Sequence, residues 1–251
     1  MSGVILFFGL LIGIPVAKYF LSIQPTCFDG SQNQGETAVD AGGPCLTLDP
    51  THLSPSAALW ARAFKVRDGS YTAVAYIINP NTAAGVAQVR YRFMLYDSGN
   101  ILVADAEGTT FIMPGGITPV LVAGISTGNR IAVHTQFQII DEPLQWERMT
   151  EPASVIKLSN QQVSTTDTIP RITAIAQNNS FATLHDTSFI AVAFDPYGNA
   201  MAASRTAIAD LEPNTPTQIT FTWPQPFPGT VGRIDITALL PPVQAPFTPG
   251  Q

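Results

Sequence analysis

The first feature of the hydrophobic pattern is an unbroken apolar run over residues 4–23, whose only charged residue is Lys18. A helix of about 20 residues is roughly 30 Å long, the thickness of the hydrocarbon core of a bilayer. Lys18 and Tyr19 suit the interface at its end. We therefore predict a transmembrane anchor over residues 1–24 that contacts membrane lipid through residues 4–23. A cleaved signal peptide is the alternative, although the segment lacks a basic start and a small-residue cleavage site.

From about Ala57 onward, the pattern changes to short apolar runs rich in Val, Ile, Thr, Tyr and Phe, separated by Gly, Pro, Asn and Asp. Such runs predict short antiparallel strands joined by turns. We expect strands over residues 71–79, 88–97, 129–140 and 232–240. A turn of helix is expected only around residues 142–149. This pattern indicates an all-β protein.

The strand region also contains an internal repeat. Asp97 aligns with Asp195 at an offset of 98 residues (195 − 97), and Pro114 aligns with Pro213 at an offset of 99 (213 − 114). Further on, the dipeptide Arg130-Ile131 aligns with Arg233-Ile234 at an offset of 103 (233 − 130). A period near 100 residues with about seven strands is typical of an immunoglobulin-like β-sandwich.

These patterns predict five segments in the chain. The anchor (1–24) precedes a disulfide-closed acidic loop and linker (25–56), a first β-sandwich (57–141), a second sandwich that is a degenerate repeat of the first (142–242), and a Pro-rich tail (243–251). The predicted fold is therefore two tandem immunoglobulin-like β-sandwiches after a single N-terminal transmembrane helix.

Each repeat contains a turn that begins with aspartate, at Asp97 and at Asp195. Aspartate accepts hydrogen bonds from the backbone that follows it, and glycine adopts positive φ without steric cost. We interpret both as hairpin turns, the alternative being that their exposed carboxylates bind a cation.

The two cysteines of the chain, Cys27 and Cys45, enclose a polar, Gly-rich segment next to the predicted anchor. Two cysteines favour a disulfide in an oxidising compartment over a structural metal site, which usually needs four ligands. Closure of this loop would stabilise it by about 3 kcal/mol. The disulfide also predicts that the segment lies outside the cytoplasm. Two free thiols in a reducing cytoplasm are the alternative.

Between the cysteines lies a series of oxygen-bearing side chains: Asp29, Ser31, Asn33, Glu36 and Asp40. Four of them match positions 1, 3, 5 and 12 of an EF-hand calcium loop, although Gln34 replaces the glycine expected at position 6. They are candidate Ca²⁺ ligands, and Ca²⁺ is the one cofactor that the sequence suggests. The alternative is that they cap turns in a solvated loop.

Two resemblances to known families follow from these residues. Residues 27–45 are similar to a motif of bacterial surface proteins, C-x-D-G-x-x-N-x-x-E-T-x-x-D-C-G-G-x-C, with Ala41 in place of its inner cysteine. Residues 93–97, Phe-Met-Leu-Tyr-Asp, resemble the FxLYD-type domain of bacterial surface proteins and lipoproteins. The first resemblance implies a bacterial, extracytoplasmic setting. The second implies an immunoglobulin-like fold with no shared catalytic site.

Composition and motifs argue against several classes of function. The net charge of −6, with only 12 Lys and Arg residues, disfavours a nucleic-acid partner. His52, His134 and His185 have no metal-binding spacing, and no P-loop, H-E-x-x-H or G-x-G-x-x-G motif occurs. Exposed tryptophans would offer a carbohydrate platform, but core or interdomain filling is the favoured role. The sequence therefore predicts no enzyme.

The predicted function is that of a non-enzymatic, membrane-anchored structural or interaction protein of the bacterial cell envelope. Its bulk would lie outside the cytoplasm and present two modules to protein partners. The alternative is a subunit of a surface filament or envelope complex that forms homo-oligomers through its N-terminal helix, where Gly9, Gly13 and Ala17 would permit close packing.

Overall fold

A computed structural model describes residues 26–141, 143–150, 155–164 and 169–245. The chain divides into two units, of which the first is described over residues 26–49 and the second is Pro50–Ala245. The predicted anchor, residues 1–24, lies outside the described residues. Within them, no helix combines the length and apolarity needed to cross a membrane.

The second unit is built from strands. Its described residues contain a short 3-10 helix, Pro50–His52, and fourteen strands. The strands are β1 (Ala57–Arg67), β2 (Ser70–Asn79), β3 (Ala84–Tyr96), β4 (Leu102–Ile112), β5 (Gly116–Ser126), β6 (His134–Ile139), β7 (Glu147–Thr150), β8 (Ile156–Ser164), β9 (Arg171–Asn178), β10 (Leu184–Phe194), β11 (Ala200–Leu211), β12 (Pro216–Thr222), β13 (Arg233–Leu239) and β14 (Val243–Gln244).

The strands pair in the same order in both halves of this unit. In the first half, β2 lies between β1 and β5, and β3 lies between β4 and β6. In the second half, β9 lies between β8 and β12, and β10 lies between β11 and β13. All of these pairings are antiparallel. The all-β prediction is confirmed, and the sheets are consistent with β-sandwich domains.

Two short strands, β7 and β14, extend the sheet that contains β3, β4 and β6. A turn of helix was expected around residues 142–149, but Glu147–Thr150 form strand β7, which pairs Arg148 with Ala84 of β3. Strand β14, at the start of the predicted tail, pairs with β7. The rest of that tail, residues 246–251, lies outside the described residues.

The registers of the last strands correct one alignment between the repeats. Tyr96 pairs with His134, and its counterpart Phe194 pairs with Arg233. His134 therefore corresponds to Arg233, at an offset of 99 residues (233 − 134). The match of Arg130 with Arg233 was wrong, because Arg130 lies in a turn closed by its N–H bond to the Thr127 carbonyl oxygen.

Strand β10 is buried on both of its faces. Three alternate residues belong to a core shared with β9 and β12: Phe189, Ala191 and Ala193. The residues between them belong to a second core, shared with β2 and β5: Ile190, Val192 and Phe194. Because neighbouring side chains of a strand point to opposite faces, the β10 sheet lies between a sheet of its own half and a sheet of the first half.

Candidate functional site

The disulfide loop forms the first candidate site. The structure joins Cys27 and Cys45, whose Cα atoms are 5.5 Å apart, so the predicted bridge is present. The loop that it closes is held by turns and by a short antiparallel bridge between Ala38 and Ala41.

The aspartates of this loop accept hydrogen bonds. Asp29 accepts from the backbone N–H groups of Thr26 and Ser31 at 3.1 and 2.9 Å and from the Asn33 side chain at 2.9 Å. The hydrogen bond from Asn33 is the largest cause that lowers the pKa of Asp29 below its ordinary value of 3.8. Asp40 accepts from the backbone N–H of Gly30 with both oxygens, at 3.2 and 3.1 Å.

Glu36 lies deeper in the loop. It is only 7% exposed, and its Oε2 accepts from the backbone N–H groups of Asn33 and Asp40 at 3.1 and 3.3 Å. These bonds support the turn-capping alternative for the acidic residues, because N–H groups of the loop already donate hydrogen bonds to the oxygens of Asp29 and Asp40 and to Oε2 of Glu36. The calcium hypothesis for Asp29, Ser31, Asn33, Glu36 and Asp40 stays a prediction.

The second candidate feature is the pair of aspartate turns. Asp97 Oδ1 accepts from the N–H groups of Gly99 and Ile101 at 2.9 and 3.0 Å. Asp195 Oδ1 accepts equivalently from Tyr197 and Asn199 at 2.9 and 2.8 Å. The prediction that these aspartates close hairpin turns is confirmed.

Glycine has a different place in the two turns. Positive φ occurs at Gly198 (84°) in the second turn but at Asn100 (57°), rather than at Gly99, in the first. Both residues stand three positions after the aspartate, and the N–H group of each donates to the carbonyl oxygen of that aspartate. Asparagine tolerates this left-handed conformation better than most residues, so either type fits.

We expect both turn carboxyls to titrate below the ordinary aspartate pKa. Bonding from Asn199 is the largest cause lowering the pKa of Asp195, and bonding from Ile101 is the largest for Asp97. Since both values are depressed on folding, each carboxylate stabilises the fold above the unfolded pKa, and this effect is lost as pH falls through the folded pKa.

A ¹³C NMR titration of the carboxyl groups measures this effect. Asn199→Ala should raise the pKa of Asp195 and leave that of Asp97, the internal control, where it was. An unchanged pKa of Asp195 in this variant would contradict the assigned cause.

Two asparagines to which the sequence interpretation gave no structural role occupy equivalent buried positions. Asn79 donates from Nδ2 to the carbonyl oxygens of Ala84 and Met113 at 2.7 and 2.8 Å. Asn178 donates to Ala182 and Leu211, both at 2.8 Å. Both asparagines are 0% exposed. Each therefore ties the end of one strand to the backbone of two other segments.

The oxygens of these amides are also satisfied. Asn79 Oδ1 accepts from the backbone and side chain of Asn81 at 3.0 and 2.9 Å, and Asn178 Oδ1 accepts from the backbone and hydroxyl of Ser180 at 2.9 and 2.7 Å. The sequence signal was an asparagine followed two residues later by a short polar residue in both repeats. In the second repeat it also reads as a glycosylation motif, residues 178–180, but burial of Asn178 removes its amide from solvent.

The contact between the two halves is rich in aromatic rings. Trp60 and Tyr76 of the first half lie 6.1 and 6.2 Å from Phe194 of the second, measured between ring centroids. The Arg233 guanidinium lies 4.2 Å from the Phe194 ring centroid, a cation–π distance. Burial also raises the pKa of the Tyr76 hydroxyl above its ordinary value.

Hydrogen bonds complete this contact. Arg62 donates from Nη1 to the carbonyl oxygen of Ala200 at 2.7 Å, and the Tyr76 hydroxyl donates to Asp235 at 3.4 Å.

The prediction that tryptophans fill cores or the space between domains is also confirmed. Trp146 and Trp223 are 6% and 7% exposed, and Trp60 packs partly buried against the shared core.

The histidines stand in unlike surroundings. His185 Nδ1 lies 2.6 Å from the Asp210 carboxylate on an exposed strand pair, and His134 is an exposed residue of β6. His52 ends the short helix.

A groove of about 330 Å³ runs beside β1 and β11, with Phe64, Met201 and Phe227 in its lining. Its walls are mostly apolar, with Lys65 and Gln225 as polar side chains.

Comparisons with known proteins leave the family open. No protein-family model matches the chain. No curated protein matches it either. Among solved structures, the chain is similar to the crystal structure of red sea bream transglutaminase with a TM-score of 0.24 and 9% identity. That alignment covers 74% of this chain but only 29% of the transglutaminase chain. A likeness this weak has no bearing on function.

Proposed function

We propose that this chain is a non-enzymatic, membrane-anchored structural or interaction protein of the bacterial cell envelope. In this proposal, two immunoglobulin-like modules stand outside the cytoplasm and present one surface of fixed geometry to protein partners. The observation that carries the proposal is the apolar core shared by β10, β2 and β5. An interface of this kind behaves like the interior of a domain and suppresses relative motion of its two sides.

The residues at this shared core support a rigid display role. Val74, Ile190 and Val192 are 0 to 1% exposed, so separation of the halves would expose side chains that now lie in the interior. Burial of such side chains stabilises by about 1.5 to 3 kcal/mol each. A protein that presents a binding surface gains from this rigidity, because little ordering entropy is lost on binding.

The disulfide and the apolar segment support the proposed location. A bridge between Cys27 and Cys45 persists in an oxidising compartment, outside the bacterial cytoplasm. Residues 4–23 have the length and composition of a membrane span. Together they support a single-pass protein whose bulk is extracytoplasmic.

Selective labelling of a cysteine in intact bacteria tests the proposed location. We would place one reporter cysteine by Tyr197→Cys, at a side chain that is 91% exposed, in a chain that also carries Cys27→Ser and Cys45→Ser. A membrane-impermeant maleimide should label it in intact cells, and the labelled protein should remain in the membrane after a carbonate wash. Labelling only after lysis would overturn the proposed orientation.

The oligomeric state of the detergent-extracted full chain distinguishes display from filament assembly. Cross-linking should give one copy, with envelope partners captured alongside it. A ladder of homo-oligomers that disappears on Gly9→Leu and Gly13→Leu would instead favour assembly through the N-terminal helix.

A further inference from the structure

The buried carboxylate of Glu36 faces the disulfide with Oε1, an oxygen that receives no hydrogen bond from a described N–H or O–H group. Oε1 lies 3.1 Å from Cys45 Sγ, but a sulfur in a disulfide has no proton to donate. In the described part of the chain, Oε1 accepts no other hydrogen bond, whereas Oε2 accepts two. A buried carboxylate oxygen without a partner is costly, so its position suggests a ligand in another state of the loop.

The atoms near Oε1 of Glu36 are of the kinds that bind a metal ion. One carboxylate oxygen of Glu36 and the sulfurs of Cys27 and Cys45 all lie within 4.8 Å of one another. Thiolate sulfur and carboxylate oxygen both bind Zn²⁺, at about 2.3 Å and about 2.0 to 2.2 Å respectively. After the sulfurs separate on reduction, small rotations of the side chains would bring all three atoms to one ion.

We propose that the reduced form of this loop binds one thiophilic divalent cation, of which Zn²⁺ is the type, through Cys27, Glu36 and Cys45. Three protein ligands leave a fourth position of the tetrahedron for water. The N–H groups of Asn33 and Asp40 hold the carboxylate by Oε2 and leave Oε1 directed at the sulfurs. Outer partners of this kind orient a metal ligand.

The site is distinct in chemistry from the predicted calcium loop. Soft thiolates select Zn²⁺ or Cu⁺, whereas Ca²⁺ prefers oxygen ligands alone. The oxygens of Asp29 and Asp40 are taken by N–H donors and are not needed here. The proposal goes beyond the display function, because it concerns the loop in the state reached when a thiol reductant opens the bridge that an oxidising compartment otherwise maintains.

Metal binding and the disulfide exclude each other, because both use the same two sulfurs. A thiol reductant opens the bridge by transferring two electrons and two protons, and is itself oxidised to a disulfide. This leaves two thiols, at Cys27 and Cys45. Binding of the cation then releases the two thiol protons to solvent, with no further electron transfer.

Spectroscopic titration of the full chain in detergent tests the site. We would reduce the protein with a thiol reductant, remove the reductant without oxygen, and add Co²⁺ as a spectroscopic substitute. A thiolate-to-Co²⁺ charge-transfer band should saturate at one ion per chain, and Zn²⁺ should remove it because Zn²⁺ binds such sites more tightly. The oxidised protein should give no band. A reduced protein without the band would overturn the proposal.

Variants identify the ligands. Cys45→Ser should abolish the charge-transfer band, and Glu36→Gln should weaken Zn²⁺ binding at least tenfold, on the order of effects seen for groups around a metal. Glu107→Gln, an exposed carboxylate of β4, removes the same charge and should leave the affinity unchanged. Equal affinity of the Glu36→Gln protein and the wild type would overturn the assignment of Glu36.

Loss of folding is a separate outcome that the same proteins resolve. On exposure to air, reduced Glu36→Gln should re-form the bridge between Cys27 and Cys45, as mass spectrometry detects. Re-formation demonstrates that the loop still brings the sulfurs together, so that weaker metal binding reports the lost carboxylate. If the bridge does not re-form in the Glu36→Gln protein, Glu36→Asp is used in its place. This variant keeps the negative charge and should retain the thiolate-to-Co²⁺ charge-transfer band. Absence of that band would also overturn the proposal.

Discussion

Phe194→Ala should lower the free energy of unfolding by about 3 to 5 kcal/mol, the range for truncating a buried aromatic side chain. Phe194 is 2% exposed and belongs to the core between the two halves. Its loss would leave a cavity beside Trp60 and Tyr76 and would remove the ring beneath the Arg233 guanidinium. The expected change in melting temperature is roughly 6 to 20 °C for a domain of this size.

Urea denaturation of the detergent-extracted chain, followed by tryptophan fluorescence, measures this effect. Tyr197→Ala is the matched control, because it truncates an aromatic residue three positions along the same hairpin that is 91% exposed. This control should change the free energy of unfolding by less than about 0.5 kcal/mol. Similar losses in the two variants would contradict a buried interface between the halves.

The proposed function depends on this prediction. If the shared core carries the stability of the pair, the wild-type halves should unfold in one transition. Weakening the contact through Phe194→Ala should then either lower that single transition or divide it into two. A wild-type protein whose halves unfold independently would argue against one rigid display surface.

Asn178→Ala should destabilise the protein by about 3 kcal/mol. The amide makes four hydrogen bonds, and its removal takes the Asn178 donor away from the Leu211 carbonyl oxygen, where the lost bond is buried. An unsatisfied buried polar group costs about 1 to 3 kcal/mol. Asn79→Ala should have a similar effect, because Asn79 makes the equivalent bonds in the first half.

The neighbouring Asn179 offers a control within the same tripeptide. It is exposed, and Asn179→Ala should change the free energy of unfolding by less than about 0.5 kcal/mol. Thermal unfolding of the three variants measures the differences. Equal stability of the Asn178→Ala and Asn179→Ala proteins would contradict a structural role for the buried amide.

Local sequence patterns predicted the strand character of the second unit and the position of its aspartate turns. Val89, Tyr91, Phe93 and Leu95 are buried and alternate with more exposed residues along β3, as the period of a strand requires. The aspartate turns and the bridge between the two cysteines were also predicted. Each of these features depends on residues that are close in sequence or, for the cysteines, on the chemistry of a single pair.

The start of β6 shows where such patterns fail. Residues 129–140 were expected to form one strand, but the strand begins at His134, because the preceding residues turn around the hydrogen bond between Arg130 and Thr127. An apolar run does not reveal where pairing with another strand begins. The start of β6 is decided by its pairing with β3, a strand that lies far away in the sequence.

By itself, the sequence determined the alternation of its strands, the position of its turns, the duplication of its β-rich region and the candidate pairing of its cysteines. Only the tertiary structure decided that β10 has two buried faces, that Asn79 and Asn178 bond distant backbone, and that Glu36 faces a disulfide. The physical reason is distance along the chain. Alternation and turns arise between neighbouring residues, whereas burial and unpaired oxygens depend on which remote segments pack together.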